Sequence, residues 1–188
     1  MRPWLTPPTG EAAALTARFA AIVPVLETAR LRLRAPTIAD FAAYEEIYHS
    51  DRWPGDGEAG SDEDAWLDYN QMLASWMLRG IGLFAVETND GTLIGFASID
   101  HEWGDPEVEI GWMLTAAAEG QGFATEAGAA LMRFATSQGR TSVVSYMGKN
   151  HPRSAAVSER LGGVRDPKAE AALNNDTYVY RHYLEDRP

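Results

Sequence analysis

No cysteine occurs among the 188 residues of the chain. Its absence excludes a disulfide framework, a thiolate metal site and a cysteine nucleophile. The chain also lacks any apolar run that approaches the ~20 residues of a membrane-spanning helix, since even the alanine-rich stretch 12–26 is interrupted by Arg18. No secretory pattern fits that stretch, so we expect a cytoplasmic protein without a membrane partner.

Basic residues are scarce. The 16 lysines and arginines face 27 acids, which gives a net charge of −11 and argues against a nucleic-acid partner. The two signs are segregated: residues 39–70 hold ten acids and one base, whereas residues 133–168 hold seven bases and two acids. Two explanations fit this pattern equally well. One is two solvated faces, and the other is an enzyme with a basic half for an anionic cofactor and an acidic half for a cationic substrate.

The length and an ordinary composition predict one domain with a sizeable core. We expect residues 1–24 to form an N-terminal arm with a possible short helix, and residues 25–188 to form the domain. Periodicity, caps and breakers predict helices over 37–49, 61–79, the segment from Gly122 to Gly139, and 152–161. They predict strands over 30–34, 81–87, 93–100, 107–114, 142–147, 164–165 and 177–184.

The connections between these elements are also predictable. Residues 50–60 are rich in glycine and proline and can only be a loop, and Asn174 and Asn175 lie in a second, polar loop. Because a helix joins strand 107–114 to strand 142–147, these two strands must run parallel.

The stretch from Leu114 to Gly139 organises the chain. An apolar strand leads into Gly120 and Gly122, and a helix follows. Glycines at such a turn let the backbone approach a ligand, and the free amides of a first helical turn bind anions, so a phosphate-binding loop is predicted. A P-loop is excluded because no Lys-Ser or Lys-Thr pair follows. A dinucleotide loop is disfavoured because Thr125 replaces the third small residue; a tight turn without a ligand remains the alternative.

The surroundings of this loop resemble the GNAT superfamily of acyl-CoA-dependent N-acyltransferases, in particular the branch that contains the ribosomal-protein alanine N-acetyltransferases. The matching segments occur in the family's order and spacing between about Leu26 and Leu184. They are Leu26–Arg34, Leu93–Phe96, Glu109–Leu114, Gly120–Ala127, Asn150 with Ser154, and Arg160–Gly162.

This resemblance implies an α+β fold. A mixed, mostly antiparallel central sheet of six or seven strands would be flanked by about four helices, with a splayed parallel strand pair at the cofactor site. It further implies transfer of an acetyl group from acetyl-CoA to a primary amine, by direct attack in a ternary complex. The acceptor would be a small-molecule amine or a peptide N-terminus, no metal would be needed, and a homodimer is possible. A non-catalytic acyl-CoA-binding sensor or scaffold is the alternative.

The resemblance also implies which residues bind the cofactor. Main-chain groups of residues 113–115 would hold the pantetheine arm, an amide near Trp112 or Met113 would face the thioester oxygen, and the loop would hold the pyrophosphate. The cofactor-binding set is Met113, Leu114, Thr115, Gly120, Gln121, Gly122, Phe123, Ala124, Thr125 and Asn150.

Glu109 is the candidate general base, because it is a charged residue within an apolar central strand, where partial burial would raise its pKa. A solvent-facing strand position is the alternative interpretation, and Asp100 and His101 are alternative bases. Many family members carry a tyrosine as general acid where this chain has Ser158. Ser154 or water would then protonate the leaving thiolate, unless it leaves unprotonated.

Further features concern affinity and acceptor. Glu119 places a carboxylate beside the phosphate loop, and Gly163 replaces a usual phenylalanine. In the family, the acidic region 39–70 borders the acceptor entrance, so a positively charged amine is expected. Trp53 is a candidate wall of that entrance, although packing would explain it as well.

Overall fold

Eight strands form one sheet in the order β1-β2-β3-β4-β5-β6-β8-β7. The computed structural model describes residues 2–51, 53, 60–173 and 176–184. The strands are β1 (Leu26–Glu27), β2 (Leu31–Arg34), β3 (Gly82–Thr88), β4 (Leu93–Asp100), β5 (Glu109–Leu114), β6 (Ser142–Gly148), β7 (Val164–Arg165) and β8 (Thr177–Tyr183).

The described residues also form six α-helices. They are α1 (Gly10–Ala20), α2 (Phe41–Tyr48), α3 (Asp62–Arg79), α4 (Phe123–Ser137), α5 (Pro152–Arg160) and α6 (Pro167–Leu173). Sequence signals set several of their ends: Ser61 and Asp64 form a capping box at the start of α3, and Gly80 ends it at φ +69°. No helix of the described part of the chain combines the length and the apolar character that a membrane crossing requires.

The α+β architecture predicted from the sequence is confirmed. Strands β5 and β6 pair in parallel, and all the other neighbouring strands pair antiparallel. The sheet has eight strands rather than six or seven because it counts two-residue strands such as β1 and β7, which are the outermost strands.

Helix α6 occupies residues for which the sequence predicted only polar loop. Its start carries an ordinary signal that the prediction overlooked: Pro167 opens the helix, and the Asp166 carboxylate accepts the Ala169 N–H at 3.0 Å. Asn174 and Asn175, the centre of the predicted loop, lie outside the described residues.

Two hydrophobic clusters cover the two faces of the sheet. One contains Ile110 and Trp112 of β5 together with Leu131 of α4. The other contains Met113 of β5 together with Tyr44 of α2 and other residues of α2 and α3. Because side chains alternate along a strand, β5 contributes to both clusters, and Glu109 shares the face of Met113.

Candidate active site

Strands β5 and β6 separate almost as soon as they pair. The ladder registers only Glu109 against Val144, and the Val144 N–H donates to the Val108 carbonyl at 3.0 Å. The next carbonyl along, that of Ile110, accepts the Ser145 hydroxyl at 2.9 Å instead of a main-chain amide. A side chain thus satisfies the last carbonyl of the ladder, and a gap opens beyond it.

The register of β5 against β4 decides which main-chain groups face this gap. The Thr115 N–H donates to Ile94 of β4 at 2.9 Å, and the Met113 carbonyl lies so close to Gly95 of β4 that a Cβ there would be 2.3 Å away. Alternation then turns the main-chain groups of Trp112 and Leu114 into the gap. Of residues 113–115, only Leu114 therefore offers its main chain to the gap, and the neighbouring amide that faces the gap is that of Trp112, not Met113.

The gap continues into a groove of about 1050 Å³ between the loop before α4 and helix α5, here called the loop groove. Gly120 and Gly122 hold left-handed backbone at φ +73° and +80°, and no protein atom comes within 3.4 Å of the position of an added Cβ at either glycine. The hydroxyl of Thr125 is buried without a hydrogen-bond partner. Together with the free amides of the first turn of α4, these features fit an anionic phosphate group.

Seven of the ten predicted cofactor-binding residues line this groove. They are Met113, Leu114, Gly120, Gly122, Phe123, Ala124 and Thr125. The side chain of Gln121 instead donates to the Ala117 carbonyl at 2.8 Å. Asn150 is exposed and lines neither this groove nor the cleft described below, so its contact with a cofactor stays a prediction.

Arg30, in the turn between β1 and β2, holds the loop from outside. Its guanidinium donates to the Gln121 carbonyl at 3.0 Å and to the Glu126 carboxylate at 2.6 Å, and lies 4.6 Å from the centre of the Phe123 ring. Glu126 also accepts the Thr28 hydroxyl at 2.6 Å. Sequence reasoning missed this clamp because its partners are more than 90 residues apart and no local pattern joins them.

Glu119 lines the loop groove but is not a free carboxylate. It accepts a hydrogen bond from Arg153 of α5 at 2.7 Å, and this ion pair joins two residues of the groove lining. Arg160 and His151 line the groove as well. The basic side chains of α5 thus offset the acid that the sequence placed beside the phosphate loop.

A second cleft, of about 340 Å³, opens between β5 and β6 towards α3; it is called the acidic cleft here. Four carboxylates line it: Asp68 of α3, Glu102 and Asp105 of the β4–β5 connection, and Glu109 of β5. Among the described residues, no lysine, arginine or histidine lines it. The two clefts share Trp112, Met113 and Ser154.

Crowding of these carboxyls shifts their protonation. Burial, followed by the charges of Glu102 and Asp105, raises the pKa of Glu109 well above its ordinary value. Burial, together with the charges of Asp68 and Asp105, raises the pKa of Glu102 to about 7. An ammonium group that enters the cleft would relieve the repulsion and lower both pKa values. The cleft therefore combines attraction for cations with carboxyls whose raised pKa suits them to accept a proton.

The alternative bases named from the sequence lie outside the lining of this cleft. Asp100 is buried; one of its oxygens accepts the His101 N–H at 2.7 Å and the other has no partner. The His101 ring binds the Asp105 carbonyl at 2.9 Å, which holds the β4–β5 connection in place. Glu109 lines the cleft and these two residues do not.

Ser158, at the position where many family members carry a tyrosine, has a structural role here. Ser158 is fully buried, its hydroxyl has no partner, and it lines neither cleft. Ser154, one turn earlier, lies where the clefts meet. Tyr146 of β6, which sequence reasoning missed, lines the acidic cleft, and burial raises its pKa, so it remains a protonated donor.

The acidic region 39–70 contributes less to the cleft than predicted. Of its described acids only Asp68 lines the cleft, and several of the others bond elsewhere. Asp40 accepts two hydrogen bonds from Arg34 at 2.8 and 2.9 Å, and Asp64 caps α3. Asp56 and Glu58 lie outside the described residues. Trp53 does line the cleft, and it also packs against the rings of Tyr44 and Tyr48.

One cluster has the spacing of a metal site. Atoms of Glu45, His49 and Asp62 lie within 4.8 Å of one another. The guanidinium of Arg2 bonds to the carboxylates of Glu45 and Asp62. The cluster therefore attaches the N-terminal segment to α2 and α3 through Arg2.

The chain is similar to known acetyltransferases. A family model described as an acetyltransferase (GNAT) domain matches residues 30–164. The structure of an acetyltransferase from Agrobacterium tumefaciens strain C58 is 35% identical, with a TM-score of 0.78 over 86% of this chain and 95% of its own.

Two further solved structures share the fold. A putative acetyltransferase from Salmonella typhimurium, solved with its cofactor acetyl-CoA, is 18% identical, with a TM-score of 0.59 over 84% of this chain and 96% of its own. An acetyl transferase from the same organism that modifies the N-terminal serine of ribosomal protein L7/L12 is 16% identical, with a TM-score of 0.67 over 85% of this chain and 99% of its own.

Proposed function

The chain belongs to the GNAT acetyltransferase family, and on that premise we propose that it transfers the acetyl group of acetyl-CoA to a primary amine that carries a positive charge. The observation that carries this proposal is the meeting of two clefts of opposite character. The loop groove has phosphate-binding features and the acidic cleft has four carboxylates, and Trp112, Met113 and Ser154 line both. Two substrates of opposite charge would therefore meet at β5.

The loop groove suits the nucleotide end of acetyl-CoA. The first-turn amides of α4 and the hydroxyl of Thr125 would hold the pyrophosphate, and the main chain of Leu114 would hold the pantetheine arm in the gap. Acetyl-CoA supplies the activated acyl carbon. The amide of Trp112, which faces the same gap, would stabilise the negative charge that develops on the thioester oxygen.

The acidic cleft suits the amine. Glu109 takes a proton from the ammonium, directly or through water, and the freed nitrogen forms a bond to the acyl carbon while the carbon–sulfur bond breaks. The sulfur leaves as a thiolate, and the second proton that the nitrogen loses reaches it through the hydroxyl of Ser154, which lines both clefts, or through water. The products are an N-acetylated amine and CoA.

The charge of the cleft selects the acceptor. The cleft is lined by four carboxylates and, among the described residues, by no lysine, arginine or histidine. Such a lining raises the local concentration of cations and disfavours anions. A basic peptide N-terminus, a polyamine and an aminoglycoside-like amine all meet this requirement. The fold neighbour that modifies a ribosomal-protein N-terminus makes a peptide a sensible first choice for assay.

A substrate screen tests the proposal. CoA release from acetyl-CoA is followed with cationic, neutral and anionic amines, and the products are identified by mass spectrometry. We expect sustained turnover with cationic amines and N-acetylated products. Tight acetyl-CoA binding without turnover on any amine would overturn the proposal and favour the sensor or scaffold alternative.

A further inference from the structure

Trp103 has the most exposed large hydrophobic side chain of the described residues, at 97%. It lies in a tight turn in which the Asp105 N–H donates to the Glu102 carbonyl at 3.3 Å and Gly104 adopts φ +92°. A glycine with positive φ at the third position of such a turn places Trp103 at the second position, on its tip.

The turn is held in place by further hydrogen bonds. The Glu102 N–H donates to the Asp105 carboxylate at 3.0 Å, and the His101 ring binds the Asp105 carbonyl at 2.9 Å. The backbone that carries the exposed indole is therefore fixed by hydrogen bonds. A single exposed apolar side chain needs no explanation by itself, so the significance of Trp103 depends on where it lies.

That location is the rim of the acidic cleft. Glu102 and Asp105, the two ends of the turn, both line the cleft, and consecutive Cα atoms are only ~3.8 Å apart. Trp103 thus stands directly beside the cleft while its ring remains in solvent. A ligand chain that leaves the cleft past this turn would meet the indole.

The charge of the cleft indicates what such a chain carries. One ammonium at Glu109 would balance one of the four carboxylates and leave Asp68, Glu102 and Asp105 with no cationic partner among the described residues that line the cleft. A second cationic group near the turn would offset this excess. The face of an indole is also the best aromatic partner for a cation.

We propose that the acidic cleft and Trp103 together form an extended acceptor site, for a chain with a terminal ammonium and a second cationic group several bonds away. The terminal ammonium lies at Glu109, and the second group lies at the rim, between the turn carboxylates and the indole. Linear polyamines and peptides with a basic residue next to the N-terminus share this chemistry. The proposal rests on the proposed amine acetylation and adds the length and charge of the acceptor.

The test compares linear diamines with monoamines of matched length, and peptides with lysine or alanine as the second residue. Trp103→Ala should lower kcat/KM for the dicationic members of a pair by about 3- to 30-fold, as expected for loss of a cation–aromatic contact. It should leave the monocationic members unchanged. Trp103→Phe should retain most of the native kcat/KM for the dicationic members. Trp4→Ala, which removes another exposed tryptophan that lines neither cleft, is the matched control.

A binding measurement separates this proposal from the acetylation it rests on. Calorimetry with CoA present should show weaker diamine binding to Trp103→Ala than to the native protein, whether or not turnover occurs. The arm that shows the larger tryptophan effect, diamine or peptide, identifies the acceptor source. Equal losses for mono- and dicationic acceptors, or no change in any of them, would overturn the extended site.

Discussion

At the scale of single residues, two carboxyls of the acidic cleft, Glu109 and Glu102, compete for the role of general base. Both have a raised pKa because burial and neighbouring acids disfavour their charged forms. Glu109 lies on β5, next to the gap, whereas Glu102 lies at the rim, so Glu109 is better placed to take a proton from an amine at the acyl carbon.

Substitution of each carboxyl by glutamine separates their roles. Glu109→Gln should lower kcat at neutral pH by about 10²-fold, the typical cost of losing a general base, with recovery at high pH and little change in acetyl-CoA affinity. Glu102→Gln removes a negative charge near Glu109 and so lowers the pKa of Glu109. The acidic limb of its pH–rate profile should therefore move to lower pH. If Glu102→Gln instead caused the 10²-fold loss, Glu102 would be the base.

At the scale of elements, the loop before α4 is the part of the site that the sequence specifies best. Its glycines, its helix start and its preceding strand are adjacent along the chain, so local pattern suffices to predict them. The same holds for the parallel direction of β6, which follows from the helix that connects it to β5.

Substitution of a loop glycine tests the phosphate assignment. Gly122→Val should abolish acetyl-CoA binding in calorimetry, because the side chain would enter the space that a phosphate needs. Gly139→Val is the matched control: Gly139 follows α4 with a similar φ of +78°, has no protein atom within 4 Å of the position of an added Cβ, and lines neither cleft. Both variants should lose similar stability from the positive φ. Unchanged affinity for Gly122→Val would remove the loop from the cofactor site.

The acceptor side could not be predicted in the same way. Its four carboxylates come from α3, from the turn at Trp103 and from β5, and only the fold brings them together. A count of the acids in residues 39–70 could not identify those that line the cleft, because it ignores their partners. Asp40 forms an ion pair with Arg34, and Asp62 forms one with Arg2. The register of β5, which decides that Trp112 rather than Met113 faces the gap, likewise depends on pairing with β4.

At the scale of the whole molecule, a buried polar contact connects β6, at the edge of the site, to β8. Ser145, whose hydroxyl ends the β5–β6 ladder, lies 3.1 Å from the Nε2 atom of His182 on β8. His182 is fully buried, and burial lowers its pKa to about 4. The folded protein thus holds this histidine neutral at pH values where the unfolded chain would protonate it.

This difference predicts how stability depends on pH. Because the unfolded state binds the extra proton between about pH 6.5 and pH 4, the contribution of His182 to stability is lost as the pH falls through that window. His182→Gln cannot titrate. Between pH 7 and pH 4.5, the native protein should lose about 2–3 kcal/mol more of its unfolding free energy than this variant, measured by denaturant titration. The carboxyls with a raised pKa change the stability in the opposite direction. They do so equally in both proteins, so they do not affect the difference between the two. Parallel pH profiles would show that His182 is protonated or exposed in the folded state.

In the proposed function, the molecule as a whole binds two substrates of opposite charge in separate clefts that meet at β5. Phosphate-binding features and arginines surround one cleft, and carboxylates surround the other. Since the chain has no cysteine and the clefts meet at shared residues, the acyl group is expected to pass directly from one substrate to the other.

Initial-rate kinetics with both substrates varied test this direct transfer. Rates of CoA release are measured over a grid of acetyl-CoA and cationic amine concentrations. A ternary complex predicts double-reciprocal lines that intersect, because both substrates must be bound before the acyl group moves. Parallel lines, the signature of a covalent acyl-enzyme, would contradict direct transfer between the two clefts.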